Sequence, residues 1–160
     1  QDICFVPDGD YAAFIRRHTG KEDVPGDFVD ETGRVLGRHK GITHYTIGQR
    51  KGLGVSSNEP LYVKAIDPER NQVILSGNDA LFSRQLTAGA FNWIAWDVPP
   101  RQFRCSAKAR YRHPEQPCQV TIREDGTVEV LFDQPQRAIT PGQAVVLYDG
   151  DIILGGGTIL

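Results

Sequence analysis

Residues 33–55 read GRVLGRHKGITHYTIGQRKGLGV, and this stretch limits how the chain can fold. It holds six glycines, five lysines or arginines, two histidines and no carboxylate. Glycine weakens a helix by roughly 1 kcal/mol per interior position relative to alanine, and it also weakens strand interiors. We therefore predict a segment that bends tightly and brings its backbone and cations close to an anion. The alternative interpretation is a solvated basic loop in an ordinary β domain.

Basic residues are concentrated in two segments of the chain. Residues 33–55 and 101–112 carry five lysines or arginines each and no acidic residue, within a total net charge of −2. The rest of the chain has eight basic residues against 20 acidic ones. The net charge argues against a uniformly basic nucleic-acid binder. The separation of basic from acidic residues along the chain predicts a focused anion-binding face.

Composition indicates a globular protein of one domain or two small ones. The 160 residues are 39% hydrophobic and 24% charged, and no apolar run approaches the roughly 20 residues of a membrane span. We expect no membrane partner. The chain contains no methionine, which favours a fragment of a longer protein over a processed product.

The three cysteines provide no disulfide framework, so a reducing, cytoplasmic setting is the simplest interpretation. Cysteines and histidines show no metal-ligand spacing, and we expect no metal site.

Cys105 and Cys118 fall on the apolar side of alternating strands and are interpreted as core residues. Cys4 precedes a predicted helix, where a thiol can become nucleophilic. A buried, inert Cys4 is the alternative.

The segment 10–18 is the best helix candidate. Asp8 or Asp10 can cap it, residues 11, 14 and 15 place apolar side chains on one face, and Thr19-Gly20 ends it. A hairpin is predicted from strands 61–66 and 72–76. The chain beyond residue 86 alternates in short strands with turns between them, which favours a small antiparallel barrel or sandwich.

The segment 103–112 alternates most regularly. Phe103, Cys105, Ala107, Ala109 and Tyr111 are predicted to face one side, and the other side carries Arg104, Ser106, Lys108, Arg110 and Arg112. Cations gathered on one strand face repel each other unless an anion is present. A row of phosphates would relieve this repulsion, and Tyr111 would stack on an exposed base. The alternative is a solvent-facing strand surface.

Several motifs resemble the tRNA-specific 2-thiouridylases, enzymes that place sulfur on the wobble uridine of certain tRNAs. They occur in the family's order and span nearly the whole chain. The blocks are DICF (2–5), GRHKG (37–41), YTIGQRKGLG (45–54), LYV (61–63), AKARYR (107–112), TPGQ (140–143), YDG (148–150) and LGGG (154–157).

The resemblance implies a mainly β fold: a small central β domain followed by an antiparallel C-terminal β-barrel similar to the second domain of translation elongation factors. Residues 1–20 would be the tail of an absent N-terminal catalytic domain with one short helix. Residues 21–85 would form the central domain, and residues 86–160 the barrel.

The resemblance also implies a reaction. The family's N-terminal domain uses ATP with Mg to adenylate the uridine C2 oxygen, and a persulfide on the second catalytic cysteine, matching Cys4, delivers sulfur. A partner protein supplies the persulfide sulfur. A neighbouring thiol either releases sulfide from the persulfide or closes a disulfide afterwards. The chain lacks that thiol and the ATP loop, so it is expected to bind no cofactor itself and to be inactive alone.

The family pattern assigns tRNA contacts to Arg110, Tyr111 and Gln143, and we add Lys108, Arg50 and Lys51. Composition points to the basic strand independently, whereas Gln143 depends on the resemblance alone. Two alternatives stay open. One is a non-catalytic RNA-binding β-barrel module, and the other is a thiol enzyme that uses Cys4 with His39 or His44, which must then lie within about 3–4 Å of it.

Overall fold

The computed structural model describes residue 6 and residues 10–20, 22–111 and 113–160. Cys4, Asp8 and Arg112 lie outside the described residues, so the structure leaves their predicted roles open. The chain forms two compact units, which divide between Leu81 and Phe82. Strands dominate both units, which confirms the mainly β prediction.

The first unit combines one helix with a four-stranded sheet. Its elements are α1 (Tyr11–Thr19), β1 (Gly26–Val29), β2 (Val35–His39), a 3-10 turn (Ile42–His44), β3 (Tyr62–Asp67), β4 (Gln72–Ser76) and a second 3-10 turn (Asn78–Leu81). The sheet order is β2-β1-β4-β3. Strands β3 and β4 form the predicted antiparallel hairpin, while β1 and β4 pair in parallel. The core beneath this sheet contains Phe28, Tyr45, Leu53, Val63, Val73 and Leu75.

Helix α1 has the predicted ends. The Asp10 side chain accepts a hydrogen bond from the Ala13 backbone N–H at 2.9 Å, and Gly20 closes the helix in the left-handed conformation. On the predicted apolar face, residues 11 and 14 are half-buried and Ile15 is 37% exposed, while the buried helix residue is Ala12. Among the helices and strands of the described residues, the main neighbour of α1 is the 3-10 turn over Ile42–His44.

Asp23 connects α1 to that turn. Its carboxylate accepts hydrogen bonds from Thr43 Oγ1 at 2.6 Å and from His44 Nε2 at 2.9 Å, and it forms an ion pair with Arg16 of α1. These contacts, with the Thr43 hydroxyl as the largest, lower the pKa of Asp23 to about 2. One carboxylate therefore holds the helix and the turn together.

The glycine-rich stretch bends as predicted. Positive φ angles occur at five of its six glycines, namely Gly33, Gly41, Gly48, Gly52 and Gly54. The expectation that it forms no regular strand is wrong for Val35–His39, which is β2. Gly37 lies inside that strand, where a side chain would approach Val55 Cγ2 at 3.3 Å. The lack of a side chain therefore suits this strand, because Val55 packs close against it.

The second unit is a closed barrel of six strands. Its elements are β5 (Phe82–Trp93), β6 (Gln102–Lys108), β7 (Gln116–Ile122), β8 (Val128–Arg137), β9 (Ala144–Asp149) and β10 (Ile152–Ile159), in the order β10-β5-β8-β7-β6-β9. The paired neighbours are antiparallel, which confirms the predicted antiparallel barrel. Gly157 in β10 lies where no side chain fits. A Cβ there would lie 2.4 Å from a Phe91 ring carbon and 2.7 Å from the Gly89 oxygen.

The prediction of one long strand over residues 103–112 is wrong at its end. Strand β6 stops at Lys108, and a backbone hydrogen bond of 3.1 Å from His113 N–H to Arg110 O closes a turn beyond it. Ala107 and Ala109 are buried as predicted, but Tyr111 is 83% exposed because the turn rotates it away from the core. The assignment of residues 1–20 to another domain and the boundary after residue 85 remain predictions.

Candidate nucleic-acid interface

Two connections of the barrel meet at one of its ends. The loop 109–115 joins β6 to β7, and residues 138–143 join β8 to β9. Strands β6 and β9 are neighbours, with Lys108 opposite Val146, so the loop leaves the barrel beside the start of β9. Arg110 Nη2 donates a hydrogen bond to Thr140 Oγ1 at 3.3 Å, which joins the two connections directly.

A group of three basic residues lies at this end, and we call it the barrel-end cluster: Arg110, His113 and Arg137. Burial, followed by repulsion from Arg137, lowers the pKa of the Arg110 guanidinium. Burial, followed by repulsion from both arginines, lowers the pKa of His113. The two guanidinium groups are therefore close enough to repel each other, and the His113 imidazole lies within reach of both. A bound anion would offset this repulsion.

The connection after β8 is tightly shaped. Ala138 is only 2% exposed and has a positive φ of 54°, which is strained for a residue with a side chain. Thr140 Oγ1 donates to the Ala138 carbonyl at 2.9 Å, and the Gln143 N–H donates to the Thr140 carbonyl at 3.2 Å. Gln143 is half-buried, and its carbonyl accepts from Ile159 N–H at 2.8 Å. These bonds fix Thr140 and Gln143 beside the barrel-end cluster.

The predicted row of cations is broken up in the structure. Arg104 donates to Asp133 at 2.6 Å, and Arg101 pairs with Glu124 at 3.2 Å. Lys108 is half-buried at the end of β6, and Tyr111 stands exposed in the loop. Thus Arg110 is linked through Thr140 to the connection that contains Gln143, while Arg104 pairs with Asp133 on the outer face of the barrel.

Sequence reasoning missed Arg137 and His113. His113 follows the basic segment but contributes no formal charge at neutral pH, so counting charges overlooks it. Arg137 lies 27 positions after Arg110 and is the one lysine or arginine among residues 124–160 of the sequence. Only the pairing of β8 into the barrel brings its end to this site, so no local pattern would have found it.

In the first unit, Arg50 and Lys51 lie on a braced turn. Gly48 N–H donates to Val63 O at 2.7 Å, and Val63 N–H donates to Gln49 O at 2.9 Å. The Gln49 side chain accepts from Thr46 N–H and donates to Lys51 O, each at 3.0 Å. Arg50 and Lys51 are exposed on this rigid turn.

Other cations of the glycine-rich stretch contact carboxylates from elsewhere in the unit. Arg34 binds Asp30 at 3.0 Å, and Arg38 lies 3.7 Å from Asp27. The sequence contains no acid within the stretch, but β1 and its following turn supply two. The expected anion face of this unit is therefore reduced to the neighbourhood of Arg50 and Lys51 on its braced turn, together with Lys40.

Both histidines proposed as partners of Cys4 make structural hydrogen bonds. His39 is buried, its Nδ1 accepts from Gly41 N–H at 3.1 Å, and its Nε2 donates to Asn71 O at 3.1 Å. His44 binds Asp23 as described above. The described residues hold no group of three or more His, Cys, Asp or Glu arranged for a metal ion. None of the described helices is long and apolar enough to cross a membrane.

Comparison with known proteins gives consistent matches for both units. Residues 12–77 match the family described as the tRNA methyl transferase PRC-barrel domain, and residues 83–159 match the aminomethyltransferase beta-barrel domain. The chain is 55% identical over 159 residues to the tRNA-specific 2-thiouridylase MnmA 1 of Thermoanaerobacter sp. (strain X514), and 52% identical over 159 residues to MnmA of Acetivibrio thermocellus. Each alignment covers 99% of this chain and 44% of the relative, so the chain spans less than half the length of these relatives.

Proposed function

Because the chain belongs to the family of the tRNA-specific 2-thiouridylases, we propose that it takes part in the 2-thiolation of tRNA and that its barrel docks the tRNA. The barrel-end cluster is the observation that carries the docking proposal. Two guanidinium groups and an imidazole gathered at one barrel end form a site for phosphate, the anion that a nucleic acid presents in a regular row.

Tyr111 extends the proposed site from phosphate to base. An exposed aromatic ring in a loop beside cations is the usual means of holding an unstacked base, because every base has a face to stack on. Gln143 offers an amide close to the same connection, and Lys108 adds a cation at the end of β6. We assign to Arg50 and Lys51 a second contact with tRNA, made by the first unit.

Cys4 is proposed as the sulfur-carrying residue of the whole enzyme. The terminal sulfur of a Cys4 persulfide attacks C2 of the uridine, the bond from C2 to the adenylated oxygen breaks, and AMP leaves. A second cysteine then attacks the Cys4 sulfur, the bond from that sulfur to the transferred sulfur breaks, and a disulfide forms while the transferred sulfur stays on C2. In the other route the second cysteine attacks the persulfide first, the same S–S bond breaks, and the released sulfide attacks C2 in its place. ATP with Mg is bound by a part of the enzyme outside this chain, and a persulfide-carrying protein donates the sulfur. The proposed setting is the cytoplasm.

The runner-up function is a non-catalytic RNA-binding module. The barrel-end cluster and Tyr111 favour it as much as they favour the enzyme, because both need an RNA-docking surface. Cys4 separates the two. We expect Cys4→Ser in the full-length protein to abolish thiolation of a tRNA transcript while its tRNA affinity stays unchanged. The matched variants Cys105→Ser and Cys118→Ser should retain thiolation. Sulfur transfer by the Cys4→Ser protein would remove Cys4 from the mechanism and leave the binding module.

A further inference from the structure

Cys105 and Cys118 form a pair of thiols outside the proposed RNA site. They are directly opposite each other on the antiparallel strands β6 and β7, so their side chains share one face of the barrel wall. Their sulfur atoms are 3.7 Å apart. Cys118 is fully buried in the barrel core, whereas Cys105 is half-buried at its edge.

This placement suits a disulfide. Opposed residues of antiparallel strands have Cα atoms about 4.5–5.5 Å apart, which falls within the range of about 4.4–6.8 Å that disulfides span. The two sulfurs must approach to about 2.05 Å. Neither strand has to shift its register for this, because the two residues already face each other.

The two thiols also differ in reactivity. The Cys118 S–H beside Cys105 lowers the pKa of the Cys105 thiol most strongly. Burial and the Asp149 carboxylate act against this, and Arg104 acts with it. The hydrogen bond to Cys105 and burial both raise the pKa of Cys118. The more accessible sulfur is therefore the better thiolate, and the buried one is held next to it.

We propose that Cys105 and Cys118 form an oxidisable dithiol that reacts with a low-molecular-weight disulfide such as glutathione disulfide. The Cys105 thiolate attacks one sulfur of glutathione disulfide, forming a mixed disulfide and releasing one glutathione thiolate. As Cys118 attacks the Cys105 sulfur it gives up its proton, the bond from Cys105 to glutathione breaks, and the second glutathione leaves as a thiol. The two protein thiols are oxidised to one disulfide, and one glutathione disulfide is reduced to two thiols.

The crosslink would close the base of the loop that carries the proposed RNA contacts. Residues 105 and 118 flank the turn that contains Arg110, Tyr111 and His113. A covalent bond at this point restricts the opening of β6 from β7 without touching the barrel-end cluster. Oxidation would therefore modify the loop that presents the cluster rather than the cluster itself.

The test uses the full chain with Cys4→Ser, which leaves only this pair of cysteines. The reduced protein is treated with glutathione disulfide, the remaining thiols are alkylated, and peptides are mapped by mass spectrometry. We expect loss of both alkylatable thiols and a linked pair of peptides containing Cys105 and Cys118, reversed by dithiothreitol. In the Cys118→Ala variant, Cys105 should stop at the mixed disulfide with glutathione.

Two results would overturn the proposal: a mixed disulfide at Cys105 that persists when Cys118 is present, or two thiols that both stay alkylatable. A second test does not use the Cys118→Ala variant, so a loss of stability in that variant does not affect it. In the reduced Cys4→Ser protein, timed alkylation under native conditions should label Cys105 before Cys118. Equal labelling of the two thiols would contradict the proposal.

Discussion

The Arg110 guanidinium and the Thr140 hydroxyl are joined by a hydrogen bond of 3.3 Å that connects the loop after β6 to the connection after β8. Through this bond, two segments separated by 30 positions in sequence become one surface at the end of the barrel. Arg137 and His113 lie within electrostatic reach of Arg110 there. The proposed tRNA contacts depend on this joining, because neither segment alone gathers the three basic side chains.

Tyr111 is expected to contribute stacking rather than charge. Replacing Tyr111 by Ala should weaken tRNA binding by roughly 1–3 kcal/mol, about 5- to 150-fold in Kd, since one stacked base is lost. The dependence of Kd on salt should stay as in the unmodified chain, because no cation is removed. Fluorescence anisotropy with labelled tRNA at several salt concentrations measures both quantities.

The Tyr111→Phe chain is the matched control, since phenylalanine keeps the aromatic face. It should bind tRNA nearly as tightly as the unmodified chain. An alanine variant with unchanged affinity would show that the exposed ring contacts solvent only.

Asp23 should make the stability of the first unit dependent on pH in the acid range. Its pKa is about 2 in the folded protein against an ordinary value of 3.8, so the unfolded chain binds more protons between these values. The stabilisation is therefore present above about pH 4 and is lost as the pH falls through 2. Asp23→Asn should lower the free energy of unfolding at neutral pH by roughly 1–3 kcal/mol, because Arg16, Thr43 and His44 lose a charged acceptor.

The measurement is urea unfolding at pH values from 2 to 7, followed by amide hydrogen exchange in α1 and the 3-10 turn. Asp151→Asn is the control, because Asp151 is exposed in the barrel. Part of the dependence of stability on acid pH should remain in Asp23→Asn, because Asp30 is a second carboxylate with a lowered pKa. The Thr32 hydroxyl and the contacts with Arg34 lower the pKa of Asp30 to about 2. An Asp23→Asn chain with the full original pH dependence would contradict the role given to this carboxylate.

Gly26 is expected to tolerate no side chain. A Cβ there would lie 2.1 Å from the Asn71 carbonyl oxygen and 2.7 Å from His39 Nε2, so β1 would have to move away from the turn before β4. Gly26→Ala should cost about 1–3 kcal/mol of stability, as overpacked sites do. Urea unfolding with amide exchange in β1 and β4 measures the loss.

Gly77→Ala is the matched control in the same unit. A Cβ at Gly77 meets nothing within 4 Å among the described atoms, so its substitution should leave the unfolding midpoint close to the original. If Gly26→Ala were no more destabilising than Gly77→Ala, the close approach of Asn71 to β1 would be contradicted.

The fold was predictable from the sequence wherever local chemistry determines it. The Asp10 cap, the Gly20 end and the 62–76 hairpin follow from residues that lie close together in the chain. The alternation in β6 correctly placed Ala107 in the core and failed at Tyr111. A turn begins there, and period-two alternation has no meaning beyond the end of a strand.

The candidate site was predictable only in part, for a physical reason. Arg110 belongs to a local run of cations. Arg137 lies near it only because strand β8 pairs into the closed barrel. Conversely, Arg104 seemed equivalent to Arg110 in sequence, and only the strand order shows that Asp133 neutralises it. Long-range pairing decides which charged side chains meet at one end of the barrel, and a single sequence does not contain that information in any local pattern.

The central claim is that the barrel-end cluster binds the phosphates of tRNA. The most direct measurement is the Kd of this chain for unmodified tRNA as a function of salt, with Arg137→Ala compared with Arg101→Ala, whose charge is already paired with Glu124. We predict that Arg137→Ala weakens binding and reduces the slope of log K against log salt by about 0.7–0.9, while Arg101→Ala changes neither. Equal slopes for the unmodified chain and Arg137→Ala would contradict the account.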